Sequence, residues 1–342
     1  MELRRGIGVR RLPGQAGVSM KRCRQQSVLR MRSGQFRSTR KLLSPLVFGA
    51  SAMLLAVLTG CGAALSRTAY QAELTTTSTA IDSALEEVAK AEPFQGLADQ
   101  LNQAQTVVTD AADRLEQITP PDSVSAVNAE LVEGMRELAN DLVQLADEVI
   151  SLQLCTTPSV MASLSNKESV ERLRAAVARL ASGPNGESYS WGEFLPQAVA
   201  QSDRRLPTGH LVLDHRSTGE NQLEVNNDAE QDAVVTLAQG GRSILSVYVG
   251  SKQKFTADRI GDGTYDIYFT SGTDWDEQLR AFTRTCEFAR FDEPTTFVST
   301  RSGNTIYYRI WQISLMPRIG GNAPVSQVDP KDFPKLSPVP TH

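Results

Sequence analysis

Three histidines, His210, His215 and His342, limit the acid–base chemistry that this chain can perform. Asp214 directly precedes His215, but neighbouring residues of a strand point to opposite faces of a sheet. In a Ser–His–Asp site the carboxylate must instead lie beside the imidazole that it orients. The sequence also lacks the Gly-x-Ser-x-Gly turn, the phosphate-binding loop and the zinc-protease helix of common enzyme classes. We therefore expect a protein without enzymatic activity.

Acidic and aromatic side chains lie together in the run Asp274-Trp275-Asp276-Glu277. These carboxylates could contribute to a calcium site, which needs several oxygen ligands, but an aspartate-rich turn more often bonds its own backbone amides. Aromatic rings in the same half of the chain could stack on sugars, although rings in sheets usually pack in a core. We predict no metal site and no cofactor, and we retain four candidate ligand-binding residues: Asp274, Trp275, Asp276 and Tyr308.

Cys61 follows a segment with the composition of an export signal. Basic residues precede an uncharged, mostly apolar run over residues 42–58, and Thr59 and Gly60 separate this run from Cys61. A basic region, a short apolar region and small residues, in this order, are typical of a secretory signal. A transmembrane anchor is the alternative, but a span needs about 20 apolar residues. The run is shorter than that, and Pro45 and Gly49 interrupt it.

The sequence Leu58-Thr59-Gly60-Cys61 resembles the lipobox of bacterial lipoproteins. The resemblance implies that the sulfur of Cys61 carries diacylglycerol and that the chain is cut before this residue. Residues 1–60 are then a leader, for which Met31 is a more usual start. The implied partner is the lipid bilayer, which holds the protein on the extracytoplasmic face of the cell membrane.

Cys155 and Cys286 are the thiols that remain after removal of the leader and lipidation of Cys61. Two cysteines in an oxidising compartment most simply form a disulfide, which would join the front half of the chain to the back half. The alternative is a pair of separate buried thiols that behave as small apolar side chains. No histidine or cysteine cluster accompanies either residue, so a zinc site is not expected.

Charge is distributed unevenly along the chain. The formal net charge is −4, but the first 60 residues hold 12 Lys/Arg and one acid. The remaining residues hold 23 basic and 38 acidic side chains. A nucleic-acid-binding protein needs a basic surface to contact phosphates, so this acidic remainder argues against nucleic acid as a partner.

Apolar residues recur every three or four positions between residues 67 and 182, as in helices that bury one stripe. Long stripes cover residues 94–118 and 124–152, and shorter ones cover 74–88 and 170–180. The expected start signals are Pro93 in a first turn, Asp122 as an N-cap and a capping box from Ser165 to Glu168. We expect an antiparallel bundle of about four helices. Residues 61–209 contain no histidine, which excludes the Glu-x-x-His motif of di-iron bundles.

Beyond Arg205, short alternating runs separated by turn residues are typical of a β-sandwich or barrel. Nine strands are expected, at residues 210–214, 222–225, 233–237, 244–249, 254–257, 265–270, 282–291, 296–299 and 305–315. We favour an antiparallel sandwich. The resulting α+β multidomain protein has a leader (1–60), a tether (61–66), the bundle (67–182), a linker (183–204), the sandwich (205–319) and an extended Pro-rich tail (320–342).

Two runs in the β-rich half, GTYDIYFTSGTDWD (263–276) and FTRTCEFARFD (282–292), resemble secreted, lipid-anchored proteins of actinomycete type. That group has no assigned activity. The resemblance extends over residues 190–335 and implies export and the β domain, but it carries over no catalytic residue.

These observations predict a lipid-anchored binding or scaffolding protein whose partner is an envelope protein or a polysaccharide. Two alternatives remain open. One is an envelope hydrolase that pairs Asp274 or Asp276 with His215. The other is a carbohydrate-binding protein that uses the loops of the β domain.

Overall fold

The computed structural model describes residues 2–11, 63–94, 96–183, 187–315 and 323–336. Cys61 and the apolar run before it lie outside these ranges. The described chain is α+β, with five α-helices between the first strand and the other strands. The helices are α1 (Arg67–Lys90), α2 (Leu97–Gln117), α3 (Ser125–Ile150), α4 (Thr157–Ser165) and α5 (Glu168–Ala181). Within the described ranges, no helix combines the length and the apolar character that a membrane crossing requires.

The strands form two sheets in which antiparallel pairs predominate. They are β1 (Glu2–Arg11), β2 (Leu211–Asp214), β3 (Asn221–Asn227), β4 (Asp232–Gln239), β5 (Arg242–Val249), β6 (Gln253–Ile260), β7 (Gly263–Asp276), β8 (Ala281–Phe291), β9 (Thr295–Phe297), β10 (Thr300–Ser302), β11 (Thr305–Ser314) and β12 (Val325–Gln327). The first sheet has the order β1-β11-β3-β6, and β10 also pairs with β11. The second sheet has the order β12-β8-β7-β4-β5-β2, and β9 also pairs with β7.

The apolar stripes of the helices are buried, as their spacing predicts. One cluster of buried residues includes Leu74 and Ile81 of α1, Leu101 of α2, Leu138 of α3 and Leu173 of α5. Trp191, in the segment after α5, is also buried in this cluster. The helices therefore share one core, to which the start of the following segment contributes.

Three predicted helix starts are wrong. α2 begins at Leu97, after Gly96 in a left-handed conformation, so Pro93 lies outside the helix. A short 3₁₀ helix over Asp122–Val124 precedes α3, so Asp122 is not its N-cap. Ser165 ends α4, a short helix absent from the prediction, and its hydroxyl bonds Ala162 instead of capping α5. Helices α2, α3 and α5 therefore begin later than their predicted start signals.

All nine strands predicted beyond residue 205 are present, and the structure adds β1, β10 and β12. One pairing departs from the antiparallel expectation, because β11 and β3 are parallel. A buried apolar cluster includes residues from both sheets, among them Val225, Val235, Phe269 and Ile313. The two sheets therefore contribute to a common core.

The first strand falls inside the predicted leader. β1 pairs antiparallel with β11 along ten residues, from Glu2 opposite Ser314 to Arg11 opposite Thr305. A leader that is removed cannot supply a strand to the mature protein. The pairing and the predicted cleavage before Cys61 are therefore mutually exclusive in one mature chain.

Candidate functional site

The helical part and the second sheet are joined through Cys155 and Cys286. Helix α3 ends at Ile150, and Leu152, with a φ of 58°, turns the chain into an extended segment beside β8. Backbone amides of Cys155 and Cys286 donate to the carbonyls of Thr283 and Leu152. The two sulfur atoms lie 2.02 Å apart as a disulfide. The junction is thus held by a covalent bond and by backbone pairing.

Asp274, Trp275 and Asp276 lie at the end of β7 next to this junction. The Arg204 guanidinium donates to both carboxylate oxygens of Asp274 at 2.8 Å and to Asp276 at 2.8 Å. Thr283 also donates to Asp274. The Asp274 side chain is 5% exposed, and the Trp275 ring is buried. Asp274 and Trp275 are buried where the linker meets the sheet, and Asp276 is half-buried beside them.

Asp276 also accepts backbone hydrogen bonds from Gln278 and Leu279, each at 2.9 Å. This is the local turn that the sequence favoured over a calcium site. Among the described residues, no group of three or more His, Cys, Asp or Glu side chains is placed to hold a metal ion.

The ion pair of Asp274 makes acid stability a test of this geometry. Burial by itself raises the pKa of Asp274, but hydrogen bonds from Arg204 and Thr283 outweigh it and lower the pKa to about 2. Because this value lies below the unfolded pKa of about 3.9, ionised Asp274 stabilises the fold above pH 4. We expect about 2 kcal/mol of this stability to be lost as the pH falls from 4 to 2.

Urea unfolding of Asp274→Asn at several pH values measures that contribution. The variant should be less stable than the wild type at pH 6, and the difference should shrink toward pH 2. Glu277→Gln, at an exposed neighbouring residue, is the matched control. Its free energy of unfolding should stay close to that of the wild type at every pH. A constant offset of Asp274→Asn at every pH would contradict the proposed ionised state.

Arg205 makes a second ion pair, next to the first along the chain. It donates to Asp232, which also accepts hydrogen bonds from the Tyr248 hydroxyl and the Ser251 amide. Burial, together with the bond to Asp232, raises the pKa of Tyr248. Asp232 begins β4, so consecutive arginines fasten the linker to two neighbouring strands.

His215 is not near Asp274 or Asp276. Through the pairing of β2 with β5, of β5 with β4 and of β4 with β7, Asp214 aligns with a residue of β7 seven positions before Asp274. Seven strand residues span roughly 20 Å along the sheet. His215 follows Asp214 and is exposed, and Arg216 bonds both oxygens of Asp214. Within the described chain, neither His210 nor His215 has a side-chain hydrogen bond. This geometry does not assemble the hydrolase alternative.

Tyr308 lies on β11, in the other sheet, and its ring packs against Gly8 of β1. The structure therefore separates it from Asp274, Trp275 and Asp276, which it brings together.

A row of aromatic rings crosses the outer face of the second sheet. Phe94 contacts Phe288 with ring centroids 5.3 Å apart, and Phe288 contacts Phe333 at the same distance. Phe333 also contacts Tyr268 at 5.8 Å. These rings come from the loop before α2, from β7 and β8, and from the C-terminal segment. Three distant parts of the chain therefore meet in one place.

Beside this row lies a cavity of about 220 Å³, which we call the junction pocket. Its described lining is mostly apolar, with no acidic residue among the described residues: Phe94, Thr270, Leu279, Arg280, Ala281, Phe282, Phe288, Pro330, Phe333, Pro334, Lys335 and Leu336. Arg280 donates to the carbonyl of Leu336, and Ser243 donates to that of Lys335 at 2.9 Å. These bonds fix the C-terminal segment as one wall.

Sequence reasoning did not find this pocket. The stripe predicted for the second helix starts at Phe94, but this residue, with a φ of 63°, lies in the loop before α2. Phe288 alternates on β8 as a core residue would, and Phe333 lies in the Pro-rich tail. The single available signal was an aromatic residue in a tail otherwise rich in proline.

A second, polar cavity of about 260 Å³ lies on the first sheet. Arg4, Glu224, Lys254 and Gln312 are among its lining residues. The buried Ser314 hydroxyl, also in the lining, has no hydrogen-bond partner within the described part of the chain. Arg4 belongs to β1, so this cavity loses one wall if the leader is removed.

Comparison of the chain with protein-family models, with curated proteins and with solved structures finds no match.

Proposed function

We propose that this chain is a non-enzymatic binding protein, anchored through diacylglyceryl Cys61 on the extracytoplasmic face of the cell membrane. In this proposal the helices form an antiparallel bundle that carries a β-sandwich, and the junction pocket binds a protein partner. The lipobox-like sequence and the preceding apolar run support the location. The disulfide and the two arginine ion pairs support a rigid connection between helices and sheets.

The junction pocket is the observation that carries the proposed binding role. Pockets for whole small molecules usually measure 300–1,000 Å³. At about 220 Å³, this one suits a single large side chain instead. Such anchor side chains supply much of the affinity of protein complexes. Arg280 and Lys335 are the charged residues of its lining, so we propose that the anchor is an apolar side chain next to a carboxylate.

Phenylacetate is a minimal probe for this anchor because it combines an apolar ring with a carboxylate. We expect saturable binding with a Kd of about 1 mM. A ligand of this size can supply the corresponding binding free energy. Neutral phenylacetamide should bind several-fold more weakly, because it lacks the charge that Arg280 and Lys335 attract. Binding is measured by protein-observed NMR titration.

Phe333→Ala removes one wall of the pocket and should abolish detectable binding. Tyr307→Ala is the matched control, because this exposed ring lies on β11, outside the pocket lining, and should leave the Kd unchanged. Equal binding by wild type and Phe333→Ala, or no binding by wild type, would contradict the pocket as the binding site.

A further inference from the structure

The strand β11 has two edges with different partners. One edge pairs with β3 and β10. The other pairs with β1 over the whole length of the strand. Among the described residues, β1 is the strand that covers this second edge.

In the proposed lipid-anchored form, β1 is absent and no longer pairs with this edge of β11. The basic region of an export signal stays on the cytoplasmic side while the chain that follows is exported. Cleavage before Cys61 then separates residues 2–11 from the exported protein. The second edge of β11 is left with a row of backbone N–H and C=O groups that no strand pairs, which is a template for adding another strand.

We infer that β11 is a strand-accepting edge in the mature protein. This inference rests on the proposed lipid-anchored form. Its ligand is an extended segment of another envelope protein, added antiparallel to β11, with glycine opposite Tyr308 and a cationic side chain opposite Trp311. Main-chain hydrogen bonds supply affinity in such strand addition, and pockets for alternate side chains supply specificity.

The preference for glycine follows from the contact at Tyr308. A Cβ atom added at Gly8, the residue paired with Tyr308, would lie 2.2 Å from Cε2 of the tyrosine ring. At Gly6 the closest atom, the carbonyl oxygen of Ile310, would lie at 3.4 Å. A side chain at the first position therefore requires the Tyr308 ring to move, whereas a Cβ at the second position makes ordinary van der Waals contacts.

The requirement for a cation follows from the contact at Trp311. The guanidinium carbon of Arg5 lies 5.8 Å from the centroid of the indole ring. The ring is oriented by a hydrogen bond from its Nε1 to the carbonyl of Thr296 at 3.0 Å. A cation over an oriented indole face gains a favourable interaction with the ring.

A peptide with the sequence of residues 2–11, ELRRGIGVRR, tests the inference on the protein as cells produce it. The protein is purified from membranes in detergent, and intact mass establishes its first residue. Trp311 fluorescence then reports binding, because Trp191 and Trp275 are buried at 0% and 2% exposure. We expect saturable binding that is several-fold weaker for the Gly8→Val peptide, whose side chain must displace the Tyr308 ring, and about threefold weaker for the Arg5→Ala peptide. A scrambled peptide is the control.

Each other outcome overturns the inference in a distinguishable way. A chain that begins at Cys61 but does not bind the peptide, or binds the scrambled peptide equally well, removes the strand-accepting edge and leaves the lipid anchor intact. Equal binding of the Gly8→Val peptide overturns the preference for glycine opposite Tyr308. A dimer that the peptide dissociates assigns the edge to a second copy of this chain. A chain that retains residues 2–11 contradicts both the lipid anchor and the open edge.

Discussion

Replacing both Cys155 and Cys286 by alanine is expected to lower the free energy of unfolding by about 4 kcal/mol. The two residues are 131 positions apart, so the disulfide closes a long loop and restricts the unfolded chain. Both side chains are buried at the junction, where the segment after α3 pairs with β8. Urea unfolding in the absence of reductant measures the loss.

Reduction of the wild-type protein supplies the matched control for the double variant. The reduced wild type should lose about the same free energy, and the variant should not respond to reductant. Two alkylatable thiols in the native exported protein would contradict the disulfide. An unchanged midpoint after complete reduction would show that the bond does not stabilise the junction.

Cys61→Ala is expected to move nearly all of the protein from the membrane to the soluble fraction or the medium. Diacylglycerol inserts two acyl chains, and each buried CH₂ contributes about 0.8 kcal/mol to membrane binding. A single acyl chain gives only marginal binding, so loss of both leaves no anchor. Fractionation of cells followed by immunoblotting measures the distribution.

Cys23→Ala is the matched control for this experiment, because Cys23 belongs to the predicted leader and should not affect the distribution. If the apolar run over residues 42–58 instead spans the membrane, Cys61→Ala will stay in the membrane fraction. That result would contradict lipidation and favour the transmembrane alternative.

Periodic burial explains why the elements could be predicted. Leu101 and Val108 belong to one apolar stripe of α2 and are buried. Leu223 and Val225 alternate along β3 and both point into the core. The short helix α4 could not be predicted in this way, because nine residues do not establish a period. Its start depends on a local capping box between Thr156 and Ser159.

The sites could be predicted only in part, because their contacts are not local. The acidic run at the end of β7 was visible, but its partner Arg204 lies 70 positions earlier. Phe94, Phe288 and Phe333 meet only after the helices, the second sheet and the tail are in place. Pairing of β1 with β11 joins strands that are far apart along the chain, and no local pattern indicates such a pair.

The intact mass of the protein extracted from cell membranes tests the lipid anchor most directly. The proposed function predicts a chain that begins at Cys61 and carries the added mass of diacylglycerol, with residues 2–11 absent. An unmodified Cys61 that is still joined to Gly60, in a chain that retains residues 2–11, would contradict it. In that case β1 would be a permanent strand of the first sheet.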